Sequence, residues 1–522
     1  MNPQQGATLD KLIYDLLVIG GGINGAGIAR DAAGRGMSVL LCEQDDLAAH
    51  TSSASTKLIH GGLRYLEHHQ FGLVRKALQE REVLLRSAPH IISPLRFVMP
   101  HAPELRPVWM IRIGLFLYDH LARRQVLQSA EAIDLTSHIC GAPLRAGFQR
   151  GFVYSDGWVQ DARLVVLNAL DAAERGATIL TRTAVVAAAR ENGSWRVTLR
   201  TPDGQHQLVF ARGVINAAGP WVNRLLGDVL EVTPRHSVRL VKGSHIIVPR
   251  LFDHPYAYLF QNPDNRIIFA IPFEDDYTLI GTTDVDFRGD PGQVKIDAAE
   301  TEYLCRMVNR YFAREITPAD VVATMSGVRP LVKDQATNAS AVTRDYTLEL
   351  DDKGPPLVSI FGGKITTYRK LSEQVIDLIG PRLGNHRPTW TASAPLPGGD
   401  IPKADFPAFA GRLARQYPWL PAPLLQRYAR AYGTRIHVLL KDARAIPDLG
   451  ECIVPGLYER EARYLIEVEW ARTAEDILWR RSKLRLHIKP ADEAALERWL
   501  LSCQARTNPP AALLRAVQEP AP

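Results

Sequence analysis

The feature that most limits how this chain can fold is a glycine-rich turn between a short apolar run and a helix of small residues. Leu16–Ile19 form the apolar run, and Gly20, Gly22 and Gly25 follow with G-x-G-x-x-G spacing. Glycines at these positions let the backbone approach a pyrophosphate, whose charge is stabilised by the free N–H groups of the helix N-terminus. Glu43 ends the next apolar run, about 20 residues on, where a carboxylate can accept ribose hydroxyls. The spacing predicts a βαβ unit that binds a dinucleotide within a parallel sheet covered on both faces.

The chain contains a single fingerprint of this kind, which bears on which dinucleotide is bound. A flavoenzyme reduced by NAD(P)H usually carries a second fingerprint for the nicotinamide. Asn216–Gly219 ends another apolar run in glycine but lacks the G-x-x-G that would complete one. One fingerprint favours a permanently bound FAD that the substrate reduces directly. The alternative is a packing turn with Glu43 as a surface carboxylate.

Length and pattern predict several domains. At 522 residues the chain is too long for one compact core, so we expect two or three domains. Short alternating runs from Val238 to Thr283 indicate an antiparallel sheet, and the Pro/Gly-rich stretch from Thr391 to Asp405 indicates a linker before helices that show no strand pattern. The expected order is an FAD-dependent region at 10–390, a linker at 391–405 and a helical domain at 406–522. Within the first region, FAD-binding segments at about 10–85, 150–235 and 325–390 alternate with a substrate cap at about 86–149 and 236–324.

Charge and hydropathy further limit the class of protein to which this chain can belong. A net charge of +6 suits an acidic small substrate, an anionic membrane surface or nucleic acid equally. No stretch approaches the roughly 18 apolar residues of a spanning helix, since the nearest, Val108–Leu121, contains an arginine, an aspartate and a histidine. Leu12–Ile19 carries Asp15 and reads as a strand, so no signal peptide is expected. The five cysteines are scattered, which predicts reduced thiols and no metal site.

Longer runs accompany the fingerprint, among them IHGGLRYL at 59–66 and SGVRP at 326–330. The full set is 20–27, 51–66, 242–245, 280–284, 326–330 and 361–370. In this order they resemble the aerobic, FAD-dependent glycerol-3-phosphate dehydrogenases over nearly the whole chain. The resemblance implies an α/β Rossmann-like FAD-binding domain of the D-amino-acid-oxidase type, an antiparallel β substrate cap and a C-terminal helical domain.

The resemblance also implies a reaction and a substrate site. The reaction is oxidation of sn-glycerol 3-phosphate to dihydroxyacetone phosphate, with hydride transfer to flavin N5 and electrons passed to a membrane quinone. The residues that bind the substrate phosphate match Arg64, Arg329 and Lys364, which suit a dianion because charge-assisted hydrogen bonds are strong. Tyr65 would offer its hydroxyl to the substrate. Each of these side chains could instead be an ordinary ion-paired base or a core aromatic.

By the same resemblance, the catalytic residues are His245 and Arg329. His245 matches the candidate general base, and an imidazole has a pKa suited to removing the hydroxyl proton as hydride leaves. Because His245 lies on a predicted strand, a structural histidine is the alternative. His60, in the loop near the flavin, is a second candidate for the base.

The resemblance further implies which residues line the cofactor. Together with the fingerprint they are Gly20, Gly22, Gly25, Glu43, Ser53, Thr56, Leu58, Val185, Gly219, Gly363, Lys364, Ile365, Thr366 and Thr367. A helix starting near Thr367 would direct its positive end at the flavin N1–C2=O2 edge.

The expected partners are glycerol 3-phosphate, a membrane quinone and an anionic inner-membrane lipid surface, with a homodimer allowed and nucleic acid excluded. The chain is therefore expected to be a peripheral protein of the cytoplasmic face of the inner membrane. Two segments could contact lipid: the basic run Arg480–Arg485 and the helix near Val108–Leu121. The alternative for the basic run is a solvated helix with buried tryptophans.

Two other functions compete with this interpretation. An FAD-dependent amine or amino-acid oxidase that uses oxygen could share the architecture, but it needs one arginine for a carboxylate and has little use for three convergent bases. A basic FAD protein that binds nucleic acid would need a phosphate-tracking stripe with aromatics, of which the run Arg480–Arg485 is the one candidate piece.

Overall fold

The computed structural model describes residues 13–67, 69–102, 106–264, 266–333 and 345–506. Its strands are β1 (Ile13–Ile19), β2 (Val39–Cys42), β3 (Leu58–Ile59), β4 (Ile92–Pro100), β5 (Glu131–Asp134), β6 (Arg150–Val159), β7 (Thr178–Leu180), β8 (Ala184–Glu191), β9 (Ser194–Arg200), β10 (His206–Asn216), β11 (Val238–Pro249), β12 (Ala257–Gln261), β13 (Ile267–Phe273), β14 (Tyr277–Gly281), β15 (Val285–Asp286), β16 (Ala323–Val332), β17 (Thr347–Asp351), β18 (Leu357–Phe361), β19 (Cys452–Val454) and β20 (Leu457–Tyr458). Its α-helices are α1 (Ile23–Gly34), α2 (Phe71–Ser87), α3 (Val108–His120), α4 (Asp161–Glu174), α5 (Val222–Asp228), α6 (Ala298–Val308), α7 (Tyr368–Ile379), α8 (Phe406–Gln416), α9 (Ala422–Tyr432), α10 (Ile436–Leu440), α11 (Glu459–Glu467) and α12 (Pro490–Arg506).

The first sheet runs in the order β17-β18-β10-β1-β2-β7, with the β8–β9 hairpin attached to β10. β18, β10, β1, β2 and β7 are parallel, as the buried apolar runs predict. Helix α1 packs between α4 and α7 on one face of this sheet. Its small residues allow this close approach, because a Cβ at Gly27 would lie 2.7 Å from the Tyr368 ring. The carboxyl ends of β1, β10 and β18 therefore meet beside the N-terminus of α1, where open α/β sheets bind ligands.

The second sheet is mostly antiparallel and runs in the order β15-β11-β14-β13-β12-β4-β6-β3, with β16 on the other side of β11 and β5 beside β6. The register of β11 places His245 opposite Gly281 on β14 and Met325 on β16. The same pairing sets Val241 opposite Arg329. The segments predicted from sequence to carry the base and one phosphate ligand thus lie on adjoining strands.

The C-terminal region consists of α8–α12, packed around a separate apolar core, with a short β19–β20 hairpin that the sequence did not predict. The proposed linker at 391–405 packs closely against the first region. Leu396 is 1% exposed, and its backbone N–H donates to Ser87 at 2.8 Å.

The basic run Arg480–Arg485 lies largely inside the protein. Arg480 and Arg481 donate to the Asp46 carboxylate at 2.6 and 2.8 Å, and Lys483 is 7% exposed. Both expectations for this run, a solvated helix and a lipid-facing surface, are wrong. The arginines instead hold the C-terminal region against the loop that follows β2.

Helix α3, unlike the basic run, is exposed to solvent, and several of its apolar side chains lie on the exposed face. Trp109 is 64% exposed, Phe116 is 61% exposed and Ile113 is 53% exposed. The opposite face buries Ile111, Leu115 and Tyr118 in the core of the second sheet. Within the residues that the structure describes, no helix has the length and apolar character to cross a membrane.

Candidate active site

The glycine turn after β1 has the geometry that its spacing predicts. Gly20 has φ +112°, and a Cβ there would lie 2.6 Å from the carbonyl oxygen of Ala217. A Cβ at Gly25 would lie 1.9 Å from the carbonyl oxygen of Gly20, so α1 approaches the turn as closely as the backbone permits. The Ser52 hydroxyl supports the turn by accepting the Ile23 N–H at 3.0 Å.

Glu43 lies directly after β2, beside this turn. Its carboxylate accepts the backbone N–H groups of Gly21 at 2.6 Å and Asp45 at 2.8 Å. Burial raises the pKa of Glu43, whereas these two hydrogen bonds oppose the rise. The hydrogen bonds fix the carboxylate at the end of β2, and its remaining lone pairs can accept ribose hydroxyls.

A cavity of about 1160 Å³ extends from this turn to the second sheet. Small-molecule sites usually occupy about 300–1,000 Å³, so this space suits a dinucleotide together with a small substrate. The predicted site residues along its wall are Gly20, Gly22, Glu43, Thr56, Leu58, Tyr65, Val185, Gly219, His245, Arg329, Gly363, Lys364, Ile365 and Thr366. Gly25, Ser53, Arg64 and Thr367 lie outside this lining.

His245 lies in β11 at the inner end of the cavity and is 2% exposed. Its Nε2 lies 2.9 Å from the hydroxyl of Thr56, and its Nδ1 has no hydrogen-bond partner among the described residues. Burial, followed by the charges of Arg329 and Lys57, lowers the pKa of His245 to about 3. The imidazole is therefore neutral at physiological pH, as a base must be before it accepts a proton.

Arg329 is held in one orientation by the three residues that follow β14, residues 282–284. It forms an ion pair with Asp284, and it donates to Thr282 Oγ1 at 2.9 Å and to the Thr283 carbonyl at 3.0 Å. The side chain is 21% exposed and lines the cavity. A guanidinium fixed in this way presents a planar donor edge to an anion without further loss of side-chain entropy.

Lys364 and Tyr65 contact each other in the lining of the cavity. The ammonium nitrogen of Lys364 lies 3.8 Å from the centroid of the Tyr65 ring, within cation–π range. Arg64 occupies the preceding position in the turn Leu63–Leu66, and its buried Nε has no hydrogen-bond partner in the part of the chain that the structure describes. Arg329, Lys364 and Tyr65 thus line one cavity, whereas Arg64 is not part of its lining.

The loop after β18 completes the cavity. Gly363 has φ +112°, and a Cβ there would lie 2.9 Å from Asn24 Nδ2 at the start of α1. The short turn Ile365–Thr367 leads directly into α7, which confirms the predicted helix start near Thr367. Oriented N–H groups at this helix start can stabilise negative charge in the cavity.

The residues present fit a bound FAD. Gly219 has φ +54° and open space where a Cβ would stand, so its backbone borders the cavity without obstruction. The turn after β1 would hold the pyrophosphate, and the loop after β18 lies beside it at the start of α1. The site therefore has the shape and donor groups that a flavin dinucleotide requires.

Comparison with known proteins identifies the family. A family model described as FAD dependent oxidoreductase matches residues 15–369, and one described as the C-terminal domain of alpha-glycerophosphate oxidase matches residues 389–502. A glycerol-3-phosphate dehydrogenase of Pseudomonas aeruginosa is 54% identical over 492 residues, covering 94% of this chain and 95% of that relative. This chain belongs to the FAD-dependent glycerol-3-phosphate dehydrogenase family.

Other members of the FAD-dependent glycerol-3-phosphate dehydrogenase family extend the comparison. A D-erythritol 1-phosphate dehydrogenase of Brucella abortus is 52% identical over 490 residues, covering 93% of this chain and 97% of that relative. The solved glycerol-3-phosphate dehydrogenase of Bacillus halodurans, complexed with FAD, has a TM-score of 0.77 at 28% identity and covers 95% of this chain and 92% of its own. The predicted family, fold class, FAD cofactor and enzymatic nature are confirmed.

Some residues that shape this family site were not found from the sequence. Gly281 lies against the His245 ring, Asp284 orients Arg329, and Asp161 holds the loop that carries Thr56. Gly281 and Asp284 do fall in the run 280–284, where a glycine and a carboxylate at a strand end are the available signal. Asp161 had no such signal, because its contacts depend on pairing with a loop more than a hundred residues away.

Proposed function

We propose that this enzyme oxidises sn-glycerol 3-phosphate to dihydroxyacetone phosphate and passes the electrons to a membrane quinone. One observation carries the substrate assignment: Arg329, Lys364 and Tyr65 line the same cavity as His245 and the dinucleotide turn. The name of the Pseudomonas aeruginosa relative supports it.

The chain binds the substrate phosphate through complementary charge. Arg329 offers a donor edge fixed by Asp284, and Lys364 adds a second positive charge held against the Tyr65 ring. Each hydrogen bond to a charged group contributes about 1.5–3 kcal/mol. A phosphate dianion satisfies both bases, whereas an amino-acid carboxylate leaves one of them uncompensated. This difference favours a phosphorylated alcohol over the oxidase alternative.

The remaining groups arrange the reacting carbon. FAD, when bound, would supply the two-electron acceptor for the hydride that leaves C2 of the substrate. His245 serves as the general base that accepts the hydroxyl proton, since it is neutral in the resting enzyme. Ile365 and Thr366, which lead into α7, line the cavity, so the helix start can stabilise negative charge there.

For the electron acceptor, we propose that α3 brings the enzyme to the cytoplasmic face of the inner membrane. Its exposed Trp109, Ile113 and Phe116 form an apolar surface, with the exposed Arg112 beside them. Aromatic residues flanked by basic groups favour the interface of an anionic bilayer. A quinone dissolved in that bilayer would then lie close to the protein.

A second substrate deserves equal testing because the Brucella abortus relative is named for D-erythritol 1-phosphate. Both compounds carry a terminal phosphate and differ in the length of the polyol. The phosphate-binding residues suit either one. Discrimination between the two substrates must therefore come from residues that contact the polyol and not the phosphate.

The experiment that tests the proposal is anaerobic bleaching of the flavin band in the purified holoenzyme. Titration with sn-glycerol 3-phosphate should bleach it, whereas glycerol, glycine and NADH should not. Faster bleaching by D-erythritol 1-phosphate would reassign the substrate, and bleaching by glycine would favour the oxidase alternative. Mixing the reduced enzyme with a soluble quinone or with oxygen then compares the two acceptors directly.

A variant of Arg329 tests the phosphate site within the same assay. Arg329→Ala should raise the substrate concentration for half-maximal bleaching about 100-fold, since it removes charge-assisted hydrogen bonds. Arg250→Ala, an exposed arginine of the cap, is the matched control and should behave like the wild type. Equal effects of the two substitutions would contradict the assignment.

A further inference from the structure

The burial of His245 raises a question about how a substrate could reach it. The residue is 2% exposed even though it borders the cavity. One edge of the ring packs on β14, where a Cβ at Gly281 would lie 2.1 Å from the His245 Cδ2. Its Nδ1 is enclosed by protein. Direct contact between a ring nitrogen and a substrate hydroxyl is therefore restricted to the Nε2 side.

The Nε2 side is occupied by Thr56. The Thr56 hydroxyl lies 2.9 Å from His245 Nε2, and Thr56 is half-buried and lines the cavity. A hydroxyl both donates and accepts a hydrogen bond, so it can receive one proton while releasing another. The hydrogen-bonded route from the cavity to the imidazole consequently passes through this side chain.

Thr56 is held in place by a buried clamp on either side of it. Ser55 Oγ donates to Asp161 at 2.7 Å and accepts the Lys57 N–H at 2.9 Å. Lys57 Nζ donates to the same Asp161 carboxylate at 2.6 Å, and both partners are 1% exposed. Lys57 also has φ +61°, a conformation that non-glycine residues adopt only when surrounding contacts fix it. The clamp therefore fixes the backbone on both sides of Thr56.

We infer that Thr56 is a further catalytic residue, which relays the substrate hydroxyl proton to His245. The substrate O–H proton moves to Thr56 Oγ1 as the Thr56 proton moves to His245 Nε2, forming an imidazolium. The C2 hydrogen leaves with the electron pair of its bond as hydride to the bound flavin, and the electron pair of the broken O–H bond completes the C2=O carbonyl. This inference rests on the proposed function, and it changes the role of His245 from direct base to final proton acceptor.

The charges around the relay support this direction of proton movement. Burial and then Arg329 and Lys57 keep His245 neutral, while Asp161 opposes them. A phosphate dianion beside Arg329 offsets one of the charges that disfavour the imidazolium. Substrate binding therefore makes His245 a better proton acceptor at the moment when one is needed.

The relay predicts a non-additive pattern of substitutions in anaerobic stopped-flow flavin reduction. Thr56→Val and His245→Asn should each lower the limiting rate about 10²–10³-fold, the range of general base catalysis. The double variant should be no slower than the slower single variant, because both remove one shared path. Thr56→Ser should stay within about 10-fold of the wild type. Multiplying effects, or a Thr56→Val rate equal to the wild type, would overturn the relay.

A pH series separates the relay from a structural role. Without the relay the proton must leave to solvent, so the residual rate of Thr56→Val should rise with pH, and the serine variant should restore the wild-type profile. The control is Thr278→Val, which alters a buried threonine in β14, away from the relay. It should leave the pH profile of flavin reduction unchanged. A Thr56→Val profile parallel to that of the wild type would indicate a packing role and contradict the relay.

The tautomer of His245 gives a readout that does not depend on activity. The relay requires the Nδ1–H tautomer in the resting enzyme, so that Nε2 can accept from Thr56. Nitrogen NMR of histidine-labelled holoenzyme, with His245→Asn to assign the signal, should show this tautomer. A proton on Nε2 would refute the relay, whereas failure of glycerol 3-phosphate to bleach the wild-type flavin would refute the proposed substrate alone.

Discussion

At the residue scale, His245 has room for its imidazole because position 281 is a glycine. The two residues are paired across β11 and β14, and the ring packs on the Gly281 backbone. A methyl group there would have to displace the ring or the strand. The strand pairing is thus part of the active site as well as of the fold.

This contact predicts the effect of Gly281→Ala. The substitution should lower the limiting rate of flavin reduction about 10²-fold, because it moves His245 away from Thr56. Bound FAD, measured by its absorption, should be retained. Gly72→Ala is the matched control, since no atom lies within 4 Å of the Cβ it would add. A wild-type rate in Gly281→Ala would show that His245 placement is not limiting.

The sequence could predict the backbone geometry around Gly20, Gly25 and Glu43, because it follows from local spacing. Their geometry depends on one βαβ unit. The contact between Thr56 and His245 joins residues 189 positions apart and exists only after two sheets have formed. No periodicity in either segment encodes it, which is why the resemblance assigned both residues but could not connect them.

At the element scale, the basic run Arg480–Arg485 shows why a local charge pattern can misjudge a surface. A run of charged residues is expected to face solvent. Arg480 and Arg481 are buried instead, because they donate hydrogen bonds to Asp46, more than 400 residues away in the sequence. Helix α3 has an apolar surface that nothing else in the described chain covers. Whether a charged side chain is exposed or buried therefore depends on whether the fold provides it with an oppositely charged partner.

The exposed face of α3 predicts how the enzyme binds vesicles. The double variant Trp109→Ser/Phe116→Ser should bind anionic phospholipid vesicles about 10²-fold more weakly in a flotation assay, because it loses two aromatic anchors. Flavin reduction by substrate should not change. Val438→Ser alters an exposed apolar residue of the C-terminal region and serves as control. Unchanged flotation of the double variant would exclude α3 as the contact.

At the scale of the whole molecule, buried charges join the regions, and Asp46 is central among them because it accepts from two arginines. Asp46→Ala leaves both arginines without that carboxylate, so urea unfolding should show a loss of about 3–5 kcal/mol. Glu315→Ala removes an exposed partner of Arg145 and should cost at most about 1 kcal/mol. Equal losses would show that the Asp46 contact contributes no more than a surface pair.

Buried histidines make stability depend on pH in a stated direction. Burial, followed by the charges of Arg163 and Arg430, lowers the pKa of His90 from 6.5 to about 3. Its contribution is complete above pH 6.5 and is lost as the pH falls towards 3, because the unfolded chain then binds the extra proton. Between pH 8 and pH 5, His90→Gln should lose about 2 kcal/mol less than the wild type in urea unfolding. His206→Gln, an exposed control, should follow the wild type; an identical loss in His90→Gln would contradict the mechanism.

The contact of Arg480 and Arg481 with Asp46 has a thermodynamic consequence for cofactor loading. Asp46 lies three residues after Glu43, in the loop that borders the adenosine end of the cavity. Any ligand that orders this loop also favours docking of the C-terminal region, and the coupling is reciprocal. A substitution that weakens flavin binding should therefore also make residues 406–506 easier to cleave by protease. Removal of the cofactor should have the same effect on this C-terminal region.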